Sequence, residues 1–164
     1  VQAGDTIFVP AGTVHALGAG LTVCEIQENS DVTYRLYDYG RPRELHLDHG
    51  AAVADTGPRE ALVERVPLGS GREQLVACPY FRMERLEVKE RAQIAGLPYY
   101  LLLLCVKGSG EIGGQPFRAG QAWMTPAGAG AIALDGPESE WILAYTADEP
   151  LRVLNASGAR ETGA

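Results

Sequence analysis

The run Gly4-Asp5-Thr6-Ile7-Phe8-Val9-Pro10-Ala11-Gly12-Thr13-Val14-His15 constrains this chain more than any other. A glycine is followed by five residues, then Pro-x-Gly, then two residues and a histidine. Gly4-Asp5 turns the chain, and the β-branched and aromatic residues from Thr6 to Val9 suit a strand. Pro10 fixes φ and Gly12 accepts φ > 0, so a second tight turn follows. His15 then enters the next segment at a set depth. In a small β-barrel, a histidine held this way points into the mouth, where imidazole is the commonest ligand for zinc or iron. The alternative for His15 is a structural histidine with no metal.

The spacing recurs in Gly120-Gln121-Ala122-Trp123-Met124-Thr125-Pro126-Ala127-Gly128-Ala129-Gly130-Ala131, where Ala131 takes the histidine position. Alanine binds no metal, so the shape is repeated without the chemistry. Strand-like runs fall at 6–9, 21–27, 33–37, 62–66, 74–77, 81–88, 100–106, 122–125, 131–134 and 141–145, with a short helix at 49–54. Many short strands separated by turn signals predict an all-β fold. The 20 glycines and 10 prolines supply those turns, and 46% hydrophobic residues can fill a core. Gly108-Ser109-Gly110 and Gly128-Ala129-Gly130 read as hairpin turns, because no Lys-Ser or Lys-Thr follows as a phosphate loop requires. Trp123 and Trp141 read as core, and Glu84-Arg85, Glu87 and Lys89-Glu90-Arg91 as a solvated strand face.

A net charge of −7 argues against nucleic acid or an anionic membrane as partner. It leaves room for an anionic small molecule met by a few local arginines. Cys24, Cys78 and Cys105 are odd in number and widely spaced, which fits reduced thiols in a cytoplasmic protein. Val1 opens almost directly on a turn and a strand, so a piece of a longer protein is expected.

A second stretch carries chemistry: Glu25 to Tyr39 packs acids, an amide, hydroxyls and Arg35 into one segment after His15. Asn29-Ser30-Asp31 is turn chemistry. Arg35 offers a guanidinium fork suited to a phosphate or a developing enediolate. The plain alternative has Asp31 capping the turn and pairing with Arg35 at the surface. His46 and His49 are three apart and read as structural or surface residues, since on a strand they would face opposite sides.

The opening run resembles the second motif of the cupins, with Ala19 where that motif usually has asparagine. The wider set resembles the type I mannose-6-phosphate isomerases in their short bacterial form. It comprises Pro10, Gly12, Thr13, His15 and Ala16, then Gln27, Asn29, Ser30, Asp31, Thr33, Tyr34, Arg35, Tyr37 and Asp38, then residues 42–46. Cys78-Pro79-Tyr80-Phe81 with Leu86 is similar to the start of that family's C-terminal barrel. The resemblance implies cupin-type jelly-roll strands: 1–55 closing a metal-binding barrel, 56–75 a linker, 76–155 a metal-free second barrel and 156–164 a tail.

It also implies one zinc per full-length subunit, held by His15 and by a Gln, a His and a Glu expected upstream of Val1. Arg35 and Asp31 would be the active-site residues, and the substrates mannose 6-phosphate and fructose 6-phosphate. With one ligand, the chain alone is expected to be inactive, and its unpaired strands invite self-association. Two other readings stand beside this one. The first is a non-catalytic cupin-like sugar-binding or regulatory module. The second is a metal-dependent oxygenase, ranked last because the first motif lacks its two histidines and carboxylate.

Overall fold

The computed structural model describes residues 1–58 and 62–155; the expected tail at 156–164 lies outside the described residues. The chain divides into two compact units, Val1–Val63 and Glu64–Ala164.

The second unit holds the sheets. Its strands are β1 (Val66–Gly69), β2 (Arg72–Ala77), β3 (Arg82–Val88), β4 (Arg91–Ile94), β5 (Leu101–Lys107), β6 (Ser109–Ile112), β7 (Gln115–Arg118), β8 (Ala122–Thr125), β9 (Ile132–Asp135), β10 (Ser139–Tyr145) and β11 (Val153–Asn155). One sheet has the order β1-β2-β3-β10-β5-β8 and the other β11-β4-β9-β6-β7, with every pairing antiparallel. From β3 onward the chain changes sheet at every connection except β6–β7. The eight strands β3 to β10 thus form a four-plus-four jelly roll, the architecture of cupins. Strands β1 and β2 widen one sheet and β11 the other. Strand β1 and the start of β2 run through the expected linker.

Alternation explains why these residues form strands. Leu101, Leu103 and Cys105 point inward from β5, and Trp141, Leu143 and Tyr145 from β10. Leu86 and Val88 meet Ile94, Ile112, Phe117 and Leu134 from the other sheet in one core. Trp141 is fully buried, donates its indole N–H to Ser139 Oγ at 3.0 Å and meets Phe117 edge-on at 4.6 Å. Each such large apolar side chain contributes about 1.5–3 kcal/mol by leaving water. Strands β4, β6, β7 and β11 were absent from the sequence reading. They are only three or four residues long and, for β6 and β7, rich in glycine or polar residues.

One side chain contradicts its sequence reading. Glu84 is 1% exposed, not solvated. Leu86 and Val88 fix which face of β3 turns inward, and the two-residue period carries Glu84 with them. Its carboxylate accepts from Tyr145 Oη, from the Leu151 N–H at 3.2 Å and from Arg72 Nη1 at 3.2 Å. Arg72 also donates to the Leu151 carbonyl, and Arg82 to the carbonyls of Ala147 and Asp148. Residues 146–151, which cross from one sheet to the other, are thereby fastened to β2 and β3. On the opposite face of β3, Arg85 gathers Glu73, Glu87 and Glu140.

The first unit has little regular structure. It contains α1 (Leu47–Val53), an antiparallel bridge Ile7–Leu62 and a parallel bridge Thr13–Asp55. The strands expected at 6–9, 21–27 and 33–37 do not form ladders among the described residues. Strand propensity sets an extended preference, but a strand exists only against a neighbour that takes its backbone hydrogen bonds. For 6–9 the neighbour is short: the Val63 N–H reaches the Thr6 carbonyl at 2.9 Å. No helix among the described residues is long and apolar enough to cross a membrane.

The internal echo is real at the level of backbone. Gly4 and Gly120 have φ of 93° and 86°, and Gly12 and Gly128 have 83° and 75°. The turn bonds match too. Asp5 N–H donates to Gln2 and Gln121 N–H to Arg118, while Thr13 N–H donates to Pro10 and Ala129 N–H to Pro126. In the second copy the run between the turns is β8, laddered to β5.

Candidate functional site

The site residues named from the sequence all lie in the first unit, 1–63. The Pro-x-Gly turn is built for its place. Gly12 has φ of +83°, and a Cβ there would stand 2.9 Å from the Val53 carbonyl oxygen. The Asp55 N–H donates to the Gly12 carbonyl at 2.8 Å, so the turn lies directly on the chain leaving α1.

His15 is exposed just beyond this turn, with Nδ1 2.9 Å from the Thr13 carbonyl oxygen. A carbonyl only accepts, so Nδ1 carries the proton and Nε2 keeps its lone pair. That is the tautomer of a metal ligand whose other nitrogen is held by the backbone. Thr13 Oγ1, two residues before it, is buried with no hydrogen-bond partner among the described residues. A catalytic zinc takes three protein ligands. Among the described residues no group of three or more His, Cys, Asp or Glu side chains could hold a metal ion. His15 fits zinc as one donor, and the described residues do not make up a complete zinc site.

Arg35 is half-buried and held at three points. Its backbone N–H donates to His46 Nδ1 at 3.1 Å, and its carbonyl accepts from the His46 N–H at 2.8 Å. Its Nη1 donates to the Glu44 carbonyl at 3.2 Å. His46 immediately precedes α1 and takes the Gly50 N–H on its carbonyl at 2.8 Å. The Tyr34 ring stacks on His49 at 5.5 Å and is tilted against His46 at 6.1 Å. Gly50 is buried against this segment: a Cβ there would lie 2.4 Å from Leu36 Cδ2 and 3.5 Å from Tyr34 Cβ.

The loop between these two segments is closed by charge. Buried Asp38 accepts both arms of Arg43, at 2.6 and 2.5 Å, with Arg41 Nε 4.0 Å away. The Arg43 guanidinium holds the Asp38 carboxyl below the usual carboxylate range. Tyr39 at φ 52° and Gly40 at φ 77° make the turn.

Asp31 stands apart from this arrangement. It is exposed, and among the described residues no hydrogen bond or ion pair joins His15, Asp31 and Arg35 to one another. The expected Asp31–Arg35 surface pair does not form among the described residues; the Arg35 side chain donates from Nη1 to the Glu44 carbonyl instead. Nor does Asp31 cap the turn: Ser30 Oγ accepts the Val32 N–H at 3.4 Å. His46 immediately precedes α1 and His49 lies within it, where the sequence predicts a short helix from 49. His46 was read as structural or surface, and its bonds to Arg35 went unseen. Its place in the Pro42-to-His46 motif was the available signal.

No family model matches the sequence. The chain is 34% identical over 152 residues to the mannose-6-phosphate isomerase ManA of Bacillus subtilis strain 168, covering 83% of this chain and 47% of that protein. Among solved structures, it is similar to the mannose 6-phosphate isomerase from Bacillus subtilis, with a TM-score of 0.60 and 25% identity over 71% of this chain and 41% of that one. It also shares the fold of a zinc-bound mannose 6-phosphate isomerase, with a TM-score of 0.52 and 16% identity over 65% of this chain and 29% of that one. The chain therefore spans about half the length of the curated relatives it matches.

Proposed function

Over the portion that it spans, the chain belongs to the mannose-6-phosphate isomerase family, and from this we propose that it is the C-terminal part of an aldose–ketose isomerase. The substrates proposed are mannose 6-phosphate and fructose 6-phosphate, and the cofactor zinc. The observation that carries this reading is His15, whose Nδ1 is occupied by the Thr13 carbonyl so that Nε2 presents a lone pair. It sits in the motif that gives cupins a metal ligand. The zinc-bound relative supports zinc as the ion.

The reaction moves a proton between C1 and C2 of the sugar through a cis-enediol. This chain's own contribution is positional and electrostatic. Arg35 carries a permanent charge on a fork that matches phosphate or enediolate oxygens. Three hydrogen bonds hold it, so little rearrangement accompanies binding. Asp31 is proposed for proton transfer only, and it is free of any bond to Arg35.

The remaining zinc ligands are proposed to come from polypeptide outside these residues. The same polypeptide would cover the apolar side chains exposed in this unit, among them Val14, Leu17, Leu21, Val23 and Val32. We expect no zinc-dependent isomerisation of mannose 6-phosphate by the purified 164-residue chain. Turnover by that chain would overturn the incomplete-site reading. In the enzyme completed by the missing ligands, His15→Ala should abolish metal retention and activity; full activity would sink the assignment of His15.

A second reading, a cupin-like sugar-binding or regulatory module, is favoured by Ala131 at the repeated motif's histidine position. It predicts sugar-phosphate binding by the completed protein without turnover.

A further inference from the structure

We infer that His46 is a positioning residue for Arg35, a role that rests on the isomerase reading above. The two residues exchange a reciprocal pair of bonds. Arg35 N–H donates to His46 Nδ1 at 3.1 Å, and His46 N–H donates to the Arg35 carbonyl at 2.8 Å. The backbone donor and acceptor of one residue are thus both fixed by one partner, eleven residues away. The third bond, Arg35 Nη1 to the Glu44 carbonyl, fixes the side chain with a single arm. A guanidinium has five N–H donors, so the remaining arms are available to an anion.

The imidazole can accept from Arg35 only if Nδ1 is bare, which places its proton on Nε2. His15 has the opposite tautomer, since its Nδ1 must donate to a carbonyl. One histidine thus offers Nε2 for coordination, and the other spends Nδ1 on the backbone of the candidate active-site arginine. Tyr34 stacks on the ring of His49 and meets that of His46 at a tilt, and Gly50 brings α1 into contact with Leu36. Arg35 is therefore bonded to the residue at the head of a helix.

The test has a structural arm and a kinetic arm. In the 164-residue chain, imidazole nitrogen NMR should show His46 bare at Nδ1 and His15 protonated at Nδ1. Exchange of the Arg35 amide should speed up by about tenfold or more in His46→Leu. It should stay slow in His46→Asn, whose Oδ1 can replace Nδ1 as acceptor. In the completed enzyme, His46→Leu should lower kcat about tenfold or more with a smaller change in KM, and His46→Asn should recover most of it. Unchanged Arg35 exchange in His46→Leu overturns the clamp itself. Faster Arg35 exchange in His46→Leu with kcat untouched overturns its role in catalysis. A completed wild-type enzyme that binds zinc yet does not isomerise the sugar phosphate overturns the isomerase reading, and with it the positioning role, while the tautomers still stand.

Discussion

Glu84 carries the clearest lesson at the level of single residues. Its own chemistry favours water, yet the alternation set by Leu86 and Val88 buries it. The structure answers with three donors: Tyr145 Oη, the Leu151 N–H and Arg72 Nη1. Removing the carboxylate would leave Arg72, only 10% exposed, without its counter-charge. Glu84→Ala should therefore lower stability by about 3 kcal/mol in urea unfolding, and Glu84→Gln by less. An unchanged midpoint for Glu84→Ala would show that the network contributes nothing. Tyr145 adds a pH dependence. Burial first, and then the hydrogen bond to Glu84, raise its phenol far above the usual value. A raised native value means the proton is bound more tightly in the folded chain. The associated stability is whole below about pH 10, where the unfolded phenol is also protonated, and declines as pH rises beyond it. Tyr145→Phe should flatten that alkaline decline, and an identical slope in the variant would assign it to other groups. Asp38 works in the opposite direction: its lowered value supports the loop above the ordinary carboxylate range and is lost in acid.

Among the elements, the repeated turn–strand–turn motif separates what sequence can specify from what it cannot. Both copies make the same glycine dihedrals and the same turn hydrogen bonds, because these depend on residues within the motif. The strand between the turns depends on a neighbour. Residues 122–125 lie beside β5 and become β8, while 6–9 make one bridge. Propensity was therefore readable and pairing was not. The same holds for the site. The turn that carries His15 was legible because it is local, whereas the bonds between Arg35 and His46 join segments eleven residues apart. Sequence suggested a helix at 49–54, but not that Gly50 would seat it on Leu36. That contact can be tested. Gly50→Ala gains about 1 kcal/mol of helix propensity but inserts a methyl 2.4 Å from Leu36 Cδ2. Crowding of that kind costs about 1–3 kcal/mol, so the net effect should be destabilising. Faster amide exchange at Arg35 and His46 in the variant is the expected readout; slower exchange would mean that propensity wins.

The whole molecule joins two units with different sources of stability. Residues 64–164 have a jelly-roll core that spans both sheets. The described residues of 1–63 have one short helix, two isolated bridges and many exposed apolar side chains. The all-β architecture was legible from short strands with turns between them, since alternation reports which face is buried. Strand order was not, because jelly-roll pairing joins residues far apart in the chain. Both tryptophans, Trp123 and Trp141, belong to the second unit, so their fluorescence reports on it alone. A polypeptide of residues 64–164 should fold by itself and unfold cooperatively. Its tryptophan-detected stability should match that of the full chain within about 0.5 kcal/mol, as for parts that do not depend on each other. Limited proteolysis of the full chain should cut first within residues 1–58, where few backbone groups are laddered, and leave the jelly roll intact. A shortened polypeptide that fails to fold, or first cuts inside β3 to β10, would show that the jelly roll draws its stability from the first unit.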